Sequence, residues 1–225
     1  MIIAIDGPSG SGKSSTARAV SERLGALFMD TGAMYRAAAL HLVGKGVSED
    51  DDVRAADLAD MELDLSVVDG KPVIRLNGRD VSSRIRDADV TRLSSVFSSR
   101  PEVRNAMVAQ QRVVAARHVQ SGGTVVMEGR DIGTVVFPDA DLKFYMDADA
   151  RIRAQRRAAE LRGRGERVSE DALLEEMLVR DRRDSERAHS PLRRADDALV
   201  LDTSNLSFED QVEFILEQVR GNEAV

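Results

Sequence analysis

Apolar residues fall along this chain in two rhythms. Ile2 to Asp6 is a short β-branched run that ends in the Gly/Ser cluster Gly7 to Ser11. From Ser14 to Leu24 apolar positions recur at helical spacing, so the chain begins as strand, loop and helix. Ala26 to Met29 predicts a second strand, closed by Asp30-Thr31-Gly32, and Ala33 to Leu42 a second helix. Ser48-Glu49-Asp50-Asp51 has the form of a capping box and predicts a helix to about Asp60. The rhythm then becomes period two. Leu63 to Val67 and Pro72 to Leu76 flank Asp69-Gly70, and the turn Asn77-Gly78 and Val81 follow, which predicts a small antiparallel insert over roughly residues 62–88.

Pro101 to Gln120 reads as a long helix, with Pro in its first turn and Gly122-Gly123 just past its end. Thr124 to Met127 and Leu142 to Met146 read as buried strands. Arg151 to Arg194 carries 13 Arg against nine acidic residues and breaks at Gly163-Arg164-Gly165, which predicts two helices around a mobile turn. Leu199 to Leu201 makes a last strand, and Ser207 with Asp210 caps a terminal helix. Nearly all-apolar strands alternating with helices predict an α/β fold, a parallel sheet covered by helices on both faces.

Composition narrows the chemistry. With 225 residues, the chain suits one core with a modest insertion. Its 42% hydrophobic and 32% charged residues exclude a disordered chain or a membrane bundle. Zero Cys removes disulfides, thiolate metal sites and thiol nucleophiles, and three scattered His argue against a His-built metal site. His41, His118 and His189 read as surface or packing residues, and the eight Met as core filler. The net charge of −7 argues against nucleic-acid or anionic-membrane partners. Without a leader-like or membrane-spanning segment, a cytoplasmic protein is expected. Lys occurs only at positions 13, 45, 71 and 143, so Arg supplies nearly all the basic residues.

Gly7-Pro8-Ser9-Gly10-Ser11-Gly12-Lys13-Ser14 satisfies G-x-x-x-x-G-K-[ST] between the first strand and first helix. In this context the loop's N–H groups and the helix's positive end cradle a β-phosphate. Lys13 reaches the β- and γ-phosphates, and the hydroxyl of Ser14, or of Ser15 beside it, ligates Mg²⁺. The chain is therefore expected to bind a nucleoside triphosphate. No Asn is followed by Lys, so the N-K-x-D signature of a guanine-specific switch is absent. The strand ending at Met127 runs into Glu128-Gly129-Arg130-Asp131. Glu128 is placed to help hold Mg²⁺ through water, and the Arg and carboxylate after it suggest a second ligand at the strands' carboxyl ends. Of the two Gly-Arg-Asp triplets, the one at Gly78 to Asp80 follows a hairpin-like turn and reads as structural.

Four segments, the loop at Gly7 to Ser14, Asp30 to Arg36, Glu128 to Pro138, and Arg180-Asp181 through Arg187, resemble the bacterial cytidylate kinases in order and over nearly the whole chain. The resemblance implies transfer of the ATP γ-phosphoryl group to CMP or dCMP. It also implies a P-loop core (1–61 and 89–225), a monophosphate-binding insert (62–88) and a helical, Arg-rich lid at about 151–187. It places ATP on Gly7 to Ser15 and the CMP phosphate on Arg36, Arg130 and Arg187. Ser95, Arg104 and Asp131 read cytosine, with Thr31 near the acceptor and Asp184 on the sugar hydroxyls. A carboxylate such as Asp131 accepts from the exocyclic amine of cytosine and finds no donor on uracil O4. Thr31 stands where Ser is common in the family, and Ser14-Ser15 where Gly-Thr is common.

A phosphate acceptor needs no general base, so positioning and charge neutralisation suffice. Lys13, Mg²⁺ and arginines of the 151–187 segment, Arg157 and Arg180 among them, are expected on the transferring group. Arg153, Arg156 and Arg162 stay open as alternatives to Arg157. Arg180, Asp184 and Arg187 share a helix face by spacing, whereas most other arginines there read as a salt-laced exposed face. Rival readings are another small-molecule kinase (UMP, TMP or shikimate-type) and a nucleotide-dependent switch. ATP, CMP and dCMP are the expected partners, Mg²⁺ the cofactor, and the chain a monomer.

Overall fold

The computed structural model describes residues 1–68 and 71–223. In chain order these form β1 (Ile2–Asp6), α1 (Lys13–Leu24), β2 (Leu27–Asp30), α2 (Thr31–Gly44), α3 (Ala55–Leu58), β3 (Leu63–Val68), β4 (Lys71–Leu76) and β5 (Arg79–Asp80). Then follow α4 (Ala88–Phe97), α5 (Pro101–Gln120), β6 (Val125–Gly129), β7 (Leu142–Asp147), α6 (Ala150–Gly163), α7 (Glu170–Glu186), β8 (Leu199–Asp202) and α8 (Phe208–Glu223). They divide into two compact units, Met1–Phe28 with His118–Val225, and Met29–Arg117.

The first unit is built on a sheet of order β2-β6-β1-β7-β8. β1 pairs in parallel with both β6 and β7, and β7 with β8. At the β2 edge the Leu27 N–H donates to the Thr124 carbonyl at 2.9 Å. Strand alternation sends Ile3 and Ile5 to one face, where they join Val126, Phe144, Met146 and Leu201 beneath Ala17 and Val20 of α1 and Val212, Ile215 and Val219 of α8. Burial of each large side chain here contributes about 1.5–3 kcal/mol. Ser207 and Asp210 bond reciprocally, each backbone N–H to the other's side chain at 3.2 Å, so the expected cap on α8 forms. The last strand forms as expected, at the sheet's edge, so Leu199 and Val200 are exposed and only Leu201 reaches the core.

The second unit packs α2 against α4 and the antiparallel sheet β3-β4-β5. The run Ala37, Ala38, Ala39 and Leu42 is fully buried where α2 packs on α4 and β4, whose Val90, Phe97 and Ile74 are buried too. The β-rich insert forms where the period-two pattern places it, with Leu63 opposite Leu76 and Val68 opposite Lys71. The expected turn at Asp69-Gly70 lies outside the described residues. Asp80 accepts from the Ser82 N–H at 2.9 Å, the structural role read for that triplet.

One predicted helix does not form. Ser48 and Asp51 do bond, Ser48 N–H to the Asp51 carboxylate at 2.7 Å, but they close only a turn. The Arg54 N–H is instead taken by the Asp57 carboxylate at 2.8 Å, which delays the helix to Ala55–Leu58. Three elements had no counterpart in the sequence reading: a 3-10 helical turn at Arg84–Arg86, α4, and a π-helical turn at Ile132–Val136.

Candidate active site

The phosphate loop joins β1 to α1 as predicted, and its backbone demands glycine at the ends. Gly7 has φ +155°, and a Cβ there would stand 2.0 Å from the Met146 carbonyl oxygen. Gly12, the residue before α1, has φ +93°. No L side chain fits the first position, and the second is strained for any. The loop is held from behind by Arg153, Arg156 and Thr203; the sequence reading named the two arginines only as alternatives for the transferring phosphate, and Thr203 not at all. Arg153, 5% exposed, donates from Nε to the Ala148 carbonyl and from a terminal nitrogen to the Ser9 carbonyl, both at 2.9 Å, and pairs with Asp181 at 2.7 Å. The Thr203 hydroxyl donates to the Ser11 carbonyl at 2.8 Å, and Arg156 holds Thr203 in turn.

Lys13 is buried, its ammonium donating to the Pro8 carbonyl at 3.0 Å and lying 3.9 Å from Glu128. Burial holds its pKa well below the ordinary lysine range; Arg130 and Arg180 push the same way, while Glu128 and Asp184 oppose. Four ionisable groups thus act on Lys13 at this loop: Glu128, Arg130, Arg180 and Asp184. Excess positive charge in a desolvated place is what a polyphosphate relieves. The Ser14 hydroxyl donates to Glu128 at 2.6 Å, bringing together two hard oxygen donors of the kind Mg²⁺ accepts.

Arg130, after β6, donates from Nε to Asp184 of α7 at 3.1 Å. Asp131 is buried, with φ −147° and ψ 23°, just ahead of the π-helical turn. Asp6, the last residue of β1, reaches this turn: its carboxylate accepts the N–H of Ile132 at 2.9 Å and of Gly133 at 2.8 Å. Burial raises Asp6 from 3.8 to about 6, partly offset by those two hydrogen bonds. A charged residue closing an apolar strand just before the loop was the available signal for it.

The arginine-dense segment forms its two helices. Arg157 pairs with Glu160 one turn along α6 at 2.7 Å, and Arg162 with Glu170 at 2.8 Å, so much of this face is the exposed ion-pair surface expected. The shared helix face of Arg180, Asp184 and Arg187 is corrected: α7 ends at Glu186, and Arg187 is extended at φ −62°, ψ 141°. Its Nε donates to the Ser190 carbonyl at 2.5 Å, drawing the residue out of the helix.

In the other unit, Asp30 caps α2 by accepting the Ala33 N–H at 2.8 Å and lies 3.4 Å from Arg36. Thr31 is buried in the first turn of α2. Arg104 is buried, stacked over the Tyr35 ring at 5.5 Å and donating to the Ser98 carbonyl at 3.3 Å, while the Ser95 carbonyl accepts from Ser98 at 3.1 Å. Thr31, Arg36, Ser95 and Arg104 therefore belong to this unit, and Arg130, Asp131, Asp184 and Arg187 to the first. His41 is buried against the Asp57 carbonyl at 3.1 Å, the packing role expected of it.

A parallel sheet with a glycine-rich phosphate loop, a buried lysine and an arginine-bearing helical hairpin defines a P-loop kinase. Two crystal structures share the fold: an uncharacterized protein from Eubacterium ventriosum (12% identity, 98% of each chain, TM-score 0.52) and TT1252 from Thermus thermophilus (21% identity, 98% of this chain and 96% of that, TM-score 0.50). A family model described as cytidylate kinase matches residues 3–221. Curated cytidylate kinases are similar along nearly their full length: that of Geobacter sulfurreducens is 42% identical over 99% of this chain and 94% of its own. That of Rhodococcus opacus is 46% identical over 94% and 91%. The chain belongs to the cytidylate kinase family.

Proposed function

We infer that this protein transfers the γ-phosphoryl group of ATP to CMP or dCMP, giving ADP and CDP or dCDP. The observation that carries the reading is the buried Lys13 in the phosphate loop, with Arg130 and Arg180 close enough to depress its pKa. An oxygen of the acceptor phosphate attacks the γ-phosphorus as the bond from that phosphorus to the β,γ-bridging oxygen breaks, and ADP leaves. Lys13, Arg180 and Arg187 are the residues we assign to charge neutralisation along that path, with Arg157 as a fourth that must first leave Glu160. The loop Gly7 to Ser15 takes ATP.

Thr31, Arg36, Ser95, Arg104, Arg130, Asp131, Asp184 and Arg187 are proposed for CMP. The bond between Arg130 and Asp184 supports the last group, since it orients a phosphate-binding fork beside a carboxylate suited to sugar hydroxyls. Ser14 is the proposed Mg²⁺ ligand, with Glu128 beside it. No group of three or more His, Cys, Asp or Glu able to hold a metal occurs among the described residues, so nucleotide oxygens would complete the shell. The ion's contribution is to neutralise charge on the β- and γ-phosphates. Residues 62–88 are proposed as the monophosphate-binding insert and about 151–187 as a lid that closes to exclude water. No helix among the described residues is long and apolar enough to cross a membrane. A cytoplasmic monomer in pyrimidine metabolism is the setting we propose.

The test is ADP release from Mg·ATP with CMP, dCMP, UMP, AMP, GMP, TMP or no acceptor. Turnover confined to CMP and dCMP supports the reading. Equal turnover with UMP removes the cytosine assignment, and acceptor-independent hydrolysis removes the kinase reading altogether.

A further inference from the structure

Asp6 is a buried acid that the phosphoryl-transfer path does not use. It lies on the face of β1 opposite Ile3 and Ile5, and its two oxygens are both engaged by a turn that begins 126 residues later. The first N–H groups of a helical turn have no partner inside it, and these two are buried, so they need an acceptor. The turn's internal bonds run from Val135 and Val136 to the Asp131 carbonyl, at 2.9 and 3.1 Å, and from Phe137 to Ile132 at 2.7 Å. They close the turn on itself without attaching its leading end to the sheet. Asp6 makes that attachment, and it does so at the residues that directly follow Asp131. On the other side, Asp184 holds Arg130. Gly133 sits where a Cβ would meet Lys143 at 3.2 Å and Asp6 at 3.5 Å, so the turn is gripped between the two strands neighbouring it.

We propose that Asp6 is a positioning residue for acceptor recognition, holding through the Ile132 and Gly133 amides the turn that presents Arg130 and Asp131 to cytidylate. The inference rests on the reading of Asp131 as the partner of cytosine. A carboxylate suits the task because it offers an acceptor to each amide, whereas a carboxamide offers one acceptor and one donor. Asp6→Asn therefore keeps the shape but sets a donor against a donor at one end of the turn.

The experiment is steady-state kinetics of Asp6→Asn beside Asp131→Asn. For Asp6→Asn the KM for CMP is expected to rise about tenfold or more, with a comparable fall in the CMP-over-UMP ratio of kcat/KM. The KM for ATP should stay within about threefold, although Gly7 is adjacent. Equal rises in both KM values, or an unchanged CMP-over-UMP ratio, overturn the proposal. Lost CMP preference in Asp131→Asn with preference intact in Asp6→Asn sinks this inference alone. Intact preference in Asp131→Asn sinks the cytosine reading and this inference with it. Should Asp6→Asn fail to fold, amide exchange in the unmodified protein decides: CMP binding is expected to slow exchange at Ile132 and Gly133, and no CMP-dependent change there overturns the proposal.

Discussion

The loops that leave β1 and β6 start side by side, Asp6 opposite Gly129 in neighbouring parallel strands, yet they are shaped by different means. After β1 the backbone itself is the proposed ligand-binding surface, and its course is dictated by Gly7 and Gly12 at positive φ. After β6 the groups we propose for binding are side chains, Arg130 and Asp131. Their placement comes from carboxylates elsewhere in the chain, Asp6 on β1 and Asp184 on α7. The first loop makes its turns with its own glycines and is only braced from behind by Arg153 and Thr203, whereas the second is placed by the tertiary fold. A backbone cradle can bind any polyphosphate, whereas selecting one base requires side chains held in one geometry.

Breaking the first loop should cost most. Lys13→Met is expected to lower kcat by about a thousandfold, because it removes the buried ammonium of the loop itself; a fall of only a few fold in single-turnover assays would remove Lys13 from the chemistry. Gly7→Ala meets the Met146 carbonyl and should lower stability by about 3 kcal/mol or more in denaturant titrations, with wild-type stability contradicting the close approach. In the second loop, Asp131→Asn should reduce the CMP-over-UMP preference by about ten- to a hundredfold, read from kcat/KM with each acceptor.

Arg180→Ala should reduce kcat about tenfold or more, while Arg157→Ala, which first breaks an exposed pair with Glu160, should do less. The reverse order would reassign the two arginines. The last effect is a pH dependence, confined to a narrow window. The folded state keeps the Asp6 proton up to about pH 6 while an unfolded carboxyl releases it near 3.8. The folded state therefore binds the extra proton between those values, and this group's contribution to stability falls as pH rises through them. Melting temperatures of the wild type minus those of Asp6→Asn should drop between about pH 4 and 6, and a flat difference would place the Asp6 pKa near the ordinary value.

Local signals were readable wherever a short segment determines its own conformation. The phosphate loop, β1, the hairpin around Asn77-Gly78, α5 from Pro101 to Gln120 and the cap at Ser207 all have turn, cap or periodicity residues that act within a few positions. The same logic failed at Ser48, where a sound capping signal lost to Asp57, and at Arg187, where i+3 spacing assumed a helix that ends one residue earlier. It missed α4, although Val90, Leu93 and Phe97 recur at helical spacing, and it had no means of finding the π-helical turn, whose bonding pattern depends on what it packs against.

By itself the sequence determined the α/β architecture, the nucleotide-binding loop and the family resemblance, because backbone preferences and hydrophobic periodicity act over a few residues. Tertiary structure alone decided that Arg130 is paired with Asp184, that Arg153 and Thr203 hold the loop from behind, and that Asp6 anchors the turn after Asp131. Those contacts join residues far apart in the chain, and a buried polar group finds its partner only when the fold has removed water as the alternative.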